Sequence, residues 1–163
     1  MKETSITMAA AFLAACSPQA GTDPAVAASE TQDPAATHPV SGLEVVPLTV
    51  TSGDTVHRFR AEVASSAEEQ SRGLMFRTQI GPDEAMIFPR KDLRPARFWM
   101  KNTPIPLDII FIGPDGRIAN IAAMTVPYSL DGVESDGVVS AVLEIAGGRA
   151  AELGLAAGDK VEW

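Results

Sequence analysis

Cysteine occurs once in the 163 residues, at Cys16, so no disulfide can form within the chain and its core must hold itself together. Histidine occurs twice, at His38 and His57. Neither has other ligand types at metal-binding spacing, so the sequence implies no metal. Basic excess is missing as well: 13 Lys and Arg stand against 21 Asp and Glu, a net charge of −8. From Glu44 onward 17 acids face 12 bases, a net of −5. Phosphate binding needs a basic face, which argues against nucleic acid as a partner. No apolar run reaches the roughly 20 residues that a membrane-spanning helix requires, and no repeat is present. Gly-x-Ser-x-Gly, His-Glu-x-x-His, the phosphate loop and Gly-x-Gly-x-x-Gly are all absent, and no cofactor is implied. His57 falls in a strand pattern without triad context.

What the chain does have begins at Leu13-Ala14-Ala15-Cys16, which closes the apolar stretch Ile6 to Ala15 behind Lys2. That stretch suits the core of an export signal. Two small residues before a cysteine form a lipoprotein processing site, so residues 1–15 are predicted to be a signal peptide and Cys16 to be lipidated. Each buried CH₂ adds about 0.8 kcal/mol of membrane affinity, so two or three acyl chains anchor stably. The expected location is periplasmic, on a membrane. Ser17, where an inner-membrane retention signal would show Asp, favours the outer membrane. Residues 16–41, rich in Ala, Pro, Thr, Ser and Asp, cannot bury enough apolar surface to fold and read as a tether. His38 reads as a solvated linker residue.

Residues 42–163 suffice for one domain with one core. Leu43 to Thr51 and Val56 to Val63 flank Ser52-Gly53-Asp54 as a predicted hairpin. Ser65 or Ser66 with Glu68 or Glu69 forms a capping box for a short helix that Gly73 ends. Ala85 to Phe88, Arg97 to Asn102, Leu107 to Ile112, Arg117 to Thr125, Val138 to Ile145 and Lys160 to Trp163 follow as strands. Gly113-Pro114-Asp115-Gly116 makes a turn, and Gly148 to Leu153 a helical turn. The predicted fold class is mainly β, a compact antiparallel sandwich or barrel with one or two short helices.

Four segments together resemble family 192 of the domains of unknown function. They are Arg72-Gly73-Leu74-Met75-Phe76-Arg77, Glu84-Ala85-Met86-Ile87-Phe88, the run Phe98-Trp99-Met100-Lys101-Asn102-Thr103-Pro104-Ile105-Pro106-Leu107-Asp108, and Val142-Leu143-Glu144 followed by Gly154 and Gly158-Asp159. The resemblance covers Phe59 to Val161 and departs at Ala85, where glycine is more frequent in the family. It implies a fold of jelly-roll type, often behind a signal peptide, and no activity.

Candidate site residues are Arg72, Trp99, Lys101, Asn102, Asp108 and Glu144. Asp108 opens a run that is apolar on both faces, so it is expected to be buried and to need Lys101 or backbone amides as partner. Glu144 lies in an apolar strand and must face water or pair with a base such as Arg72. Met75, Met86 and Met100 read as core filler rather than copper ligands. Arg90, Lys91, Arg94, Arg97 and Lys101 form a basic stretch that is either a solvated loop or a surface for anionic glycan or lipid. Residues 126–137 are long enough to act as a lid, with a simply disordered loop as the alternative. The favoured function is a non-enzymatic module binding a small anionic ligand, a glycan or a protein near Trp99–Asp108. A hydrolase or lyase using Asp108, Glu144 and Lys101, and a purely structural envelope protein, are the alternatives.

Overall fold

The computed structural model describes residues 36–163. The predicted signal segment, Cys16 and most of the tether lie outside the described residues. Two-residue strand β1 (Ala36–Thr37) pairs with β2 (Glu44–Ser52), which turns at Gly53 into β3 (Thr55–Val63). Along β3, Phe59 and Ala61 are buried while Arg58 and Arg60 are exposed, as period-2 alternation predicts.

Helix α1 (Ala67–Arg72) carries the capping box: Ser66 accepts from Glu69 N at 3.2 Å, and the Glu69 carboxylate accepts from Ser65 N and Ser66 N at 2.8 and 2.7 Å. These bonds, the one from Ser66 N foremost, hold the Glu69 carboxyl below its ordinary pKa. Six residues make too short a helix to stand alone. Gln70 fastens it to the sheet, its Nε2 donating to Ala64 O at 3.1 Å and Pro89 O at 2.9 Å.

The chain then crosses back to lay β4 (Glu84–Phe98) parallel to β3, with Ala61 opposite Ala85. Strands β5 (Leu107–Ile112), β6 (Ile118–Ala122) and β7 (Val133–Ala146) follow. Short helix α2 (Arg149–Leu153) leads to β8 (Lys160–Glu162) beside β2. The order β1-β2-β3-β4-β7-β5-β6, with β8 on β2, makes one eight-stranded mixed sheet, mostly antiparallel. The jelly-roll sandwich implied by the family resemblance is therefore corrected. A jelly roll divides its strands between two sheets, whereas here the parallel β3–β4 pairing keeps every described strand in one. The hairpin, the Gly113–Gly116 turn, the first helix and the central position of β5 match expectation.

Both faces of the sheet are covered. One carries Leu48, Val50, Phe59, Ile110, Ile112, Leu143 and Ile145 under α2 and Leu155. The other carries Leu74, Met86, Phe88, Met100, Ile109, Phe111, Val139 and Val142 under the α1 segment. Strand β5 is buried at all six positions, because each face has its own core.

Three local expectations need correction. Residues 85–88 and 97–102 are not two strands: β4 runs through to Phe98, with breaks in register between Pro89 and Arg94 and between Pro95 and Arg97. The chain leaves the sheet at Trp99, since Asn102 adopts a left-handed φ of 56° and Thr103 N turns back onto Met100 O. His38 is no solvated linker residue: its side chain is 12% exposed, with Nδ1 3.3 Å from Arg77 Nη2 and 3.6 Å from Glu62 Oε2. Arg77 Nη2 donates to both oxygens of the buried Glu62 carboxylate at 2.6 Å, and Ser41 Oγ donates to the same carboxylate. Ordered structure thus includes residues 36–41. An unpaired carboxylate at Glu62 would be costly, and this clasp supplies its partners.

Candidate functional site

Asp108 and Glu144 come from adjacent antiparallel strands. The pairing sets Asp108 opposite Ile145 and Ile109 opposite Glu144. Directly opposed residues share a face and successive residues alternate, so the two carboxyl groups point to opposite sides of the sheet. They cannot converge on one substrate.

Asp108 is fully buried and fully engaged. Its Oδ1 accepts from Met124 N at 2.8 Å and Gly148 N at 2.9 Å, and its Oδ2 accepts from Ala150 N at 2.8 Å. Gly148 caps α2 without a side-chain bond of its own, so Asp108, on the same face of the sheet, supplies that helix start. Of the two expected partners, the backbone amides hold and Lys101 does not. Lys101 is exposed, with Nζ 5.2 Å from the centroid of the Trp99 ring. Asn102 is a loop residue: its carbonyl accepts from Phe76 N at 2.7 Å, and its Nδ2 lies 3.7 Å from Met75 Sδ.

Glu144 is the opposite case. It is 5% exposed, and it makes no hydrogen bond or ion pair among the described residues. The expected Arg72 pair does not form, because the exposed Arg72 stops short of the carboxyl. Burial pushes the Glu144 carboxyl up to about 8, so at neutral pH it is a neutral acid able to donate a hydrogen bond.

Glu144 faces a cleft of about 340 Å³. Buried Leu74, Phe88 and Glu144 form its floor, and Arg72, Arg97, Trp99 and Lys101 its exposed rim. Phe88 and Phe98 meet edge-on at 5.2 Å, and Phe98 meets Phe111 at 6.3 Å, which fixes the apolar wall. Arg90 also lines the cleft; its Nε is buried without a hydrogen bond among the described residues. Gly73 is required at the edge, since a Cβ there would lie 3.3 Å from the Phe88 ring and its φ is 47°. Arg90, Arg97, Phe88 and Phe98 were not expected as site residues. The basic stretch was the one hint, because the wide break in β4 turns part of that stretch inward.

The loop bearing Trp99 is held from both sides. Phe76 N donates to Asn102 O, Tyr128 N to Thr103 O at 3.1 Å, and Met100 N to Ser129 O at 3.0 Å. Phe76, Asn102, Met124 and Tyr128 are the four non-glycine residues with left-handed φ among the described residues, and all but Met124 take part in these bonds. Left-handed backbone costs roughly 1–2 kcal/mol per residue, so this loop is held in place by its surroundings. These bonds tie Tyr128 and Ser129 to the Trp99 loop, and residues 133–137 of the expected loop belong to β7. Met86 and Met100 are buried as core filler, and Met75 is half-buried. No group of three metal-ligating side chains occurs among the described residues.

The family model described as DUF192, "Uncharacterized ACR", matches residues 48–163. A crystal structure of a protein of unknown function from Novosphingobium aromaticivorans DSM 12444 is similar at 55% identity, with TM-score 0.79 over 81% of this chain and 94% of that one. A protein from Sinorhizobium meliloti 1021, provisionally described as a transcription regulator, is similar at 36% identity, with TM-score 0.69 over 71% of this chain and 91% of that one. No curated protein matches the chain.

Proposed function

The chain belongs to the DUF192 family, and from that premise we propose that its domain is a non-enzymatic binding module for a small anionic, hydroxyl-bearing ligand. The ligand sits in the Glu144 cleft. One observation carries this: a carboxyl only 5% exposed, with no hydrogen bond or ion pair among the described residues, facing a cleft rimmed by cations. An acid held largely out of water with no hydrogen bond among the described residues lowers stability, and perturbed acids of this kind cluster at functional sites. Neutral Glu144 donates to a ligand oxygen, Arg72, Arg90, Arg97 and Lys101 supply the charge, and Trp99 offers an apolar face. The volume suits a ligand of metabolite size.

The alternative chemistry has less support. Hydrolysis or elimination by Asp108 with Glu144 requires two acids in one cleft, and Asp108 is committed to three amides on the far face. A purely structural role leaves the Glu144 desolvation unexplained. The regulator description of the Sinorhizobium protein gains nothing from this chain's net charge of −8.

A thermal-shift panel of hydroxylated carboxylates and phosphates against their uncharged analogues tests the proposal on the full chain. The charged compounds are expected to raise the melting temperature, and Glu144→Leu to abolish the rise. Stabilisation by no charged compound, or equal stabilisation of Glu144→Leu, would refute it.

The envelope location is part of the same proposal, carried by the Leu13–Cys16 processing pattern. Cys16→Ser is expected to move the protein from the membrane to the soluble fraction of fractionated cells. Retention on the membrane would end the anchor claim.

A further inference from the structure

Resting on the binding reading above, we propose that the ligand is an acidic oligosaccharide, bound across two subsites that meet at Trp99. The Glu144 cleft does not end at the tryptophan. A second cleft of about 410 Å³ adjoins it, and Arg97, Phe98 and Trp99 line both. Leu130 and Gly132 complete the second cleft. Trp99, 51% exposed, is thus a ridge between two hollows rather than the wall of one.

Gly132 shows why Arg97 lies where it does. A Cβ at position 132 would come within 1.9 Å of Arg97 Nε, so glycine leaves room for this placement of an exposed, flexible side chain. The side chain is spread along the junction, with exposed Glu134 3.7 Å from Nε as its ionic neighbour. A carboxylate on either side of the ridge is within its reach.

A third cleft, of about 520 Å³, adjoins the Glu144 cleft at Arg72, Gly73 and Met75; Glu68 and Glu69 line it beside Arg72 and Arg77, and it lacks the Trp99 ridge that the first two share.

A glycan suits the side chains that line these two clefts. What is offered is side chains: a half-exposed indole for the apolar face of a sugar ring, a neutral acid for hydroxyls and guanidinium groups for uronate carboxylates.

Calorimetric titration of the full chain with galacturonic acid, trigalacturonate and tri-glutamate tests this. Trigalacturonate is expected to bind at least about tenfold more tightly than galacturonic acid, because the second contact is intramolecular once the first has formed. Leu130→Asp, an exposed change confined to the second cleft, is expected to bring the trimer to the affinity of the monomer and leave the monomer unchanged. Equal affinity of monomer and trimer in the wild type would overturn the two-subsite inference while sparing the binding proposal. Tri-glutamate binding as tightly as trigalacturonate would overturn the glycan assignment. Binding of neither uronate, with stabilisation by some other small acid, would overturn this inference alone. No stabilisation by any acid would remove both.

Discussion

The two faces of strands β5 and β7 each bury one carboxyl group. On the α2 face, Asp108 accepts three backbone N–H groups and joins three stretches of chain that are distant in sequence. On the α1 face, Glu144 is 5% exposed at the floor of a cleft, against 0% for Asp108, and has no such bonds among the described residues. A buried charge is tolerated when hydrogen bonds replace its water, and a group without them keeps its proton instead. The contrast lies within one pair of strands: the satisfied acid builds the domain, and the other faces the cleft in which we propose the ligand sits.

Removing Asp108 should have the largest effect. Asp108→Ala leaves three amides, one buried and two partly buried, without an acceptor and is expected to lower unfolding free energy by about 3–5 kcal/mol in urea titrations. A loss under about 1 kcal/mol would mean that those amides find other partners and that the contrast is false.

Glu144 predicts a pH signature of opposite sense. Its folded-state pKa is raised from 4.5 to about 8. Between these values the folded protein holds a proton that the unfolded chain has released. Stability therefore falls as pH rises from about 4.5 to about 8 and levels off above, by on the order of 3–5 kcal/mol in all. Glu144→Gln, which cannot ionise, is expected to remove most of that fall and to be the more stable protein at pH 9. Parallel slopes for the two proteins in melts across this range would show that Glu144 is not desolvated as described.

The smallest effect belongs to Lys101. Because it contacts Trp99 and not Asp108, Lys101→Met is expected to change stability by no more than about 0.5 kcal/mol while weakening ligand binding. A steep drop in its melting temperature would restore the Lys101–Asp108 pairing and undo the separation.

Features set by neighbouring residues were legible from the chain alone. The Ser66–Glu69 box, the Gly53 turn and the apolar run of β5 each express local chemistry, and each appears where expected. What depends on register between distant segments was not legible. That Asp108 and Glu144 face apart follows from pairing Ile109 with Glu144, 35 positions along. No spacing rule reports a choice between two faces that a single-residue slip would invert. The parallel β3–β4 pairing is equally non-local, and the jelly-roll expectation failed there. At the site, Trp99 and Lys101 were found because they lie within one unusual run. Arg90 and Arg97 were read as part of a charge stretch, since their placement depends on where β4 breaks register against β7. His38 was misread because composition describes a segment and cannot see Glu62 and Arg77 waiting across the fold.

The clasp formed by His38, Ser41, Glu62 and Arg77 bears on how the protein is cut down for study. A truncation starting at Gly42, the boundary that composition suggests, removes two of the four side chains and the β1 pairing with them. It would bare one flank of a carboxylate that the intact fold keeps dry, and leave Arg77 as its sole neutralising contact among the four. A shortened form meant to behave like the parent should therefore start ahead of Ala36.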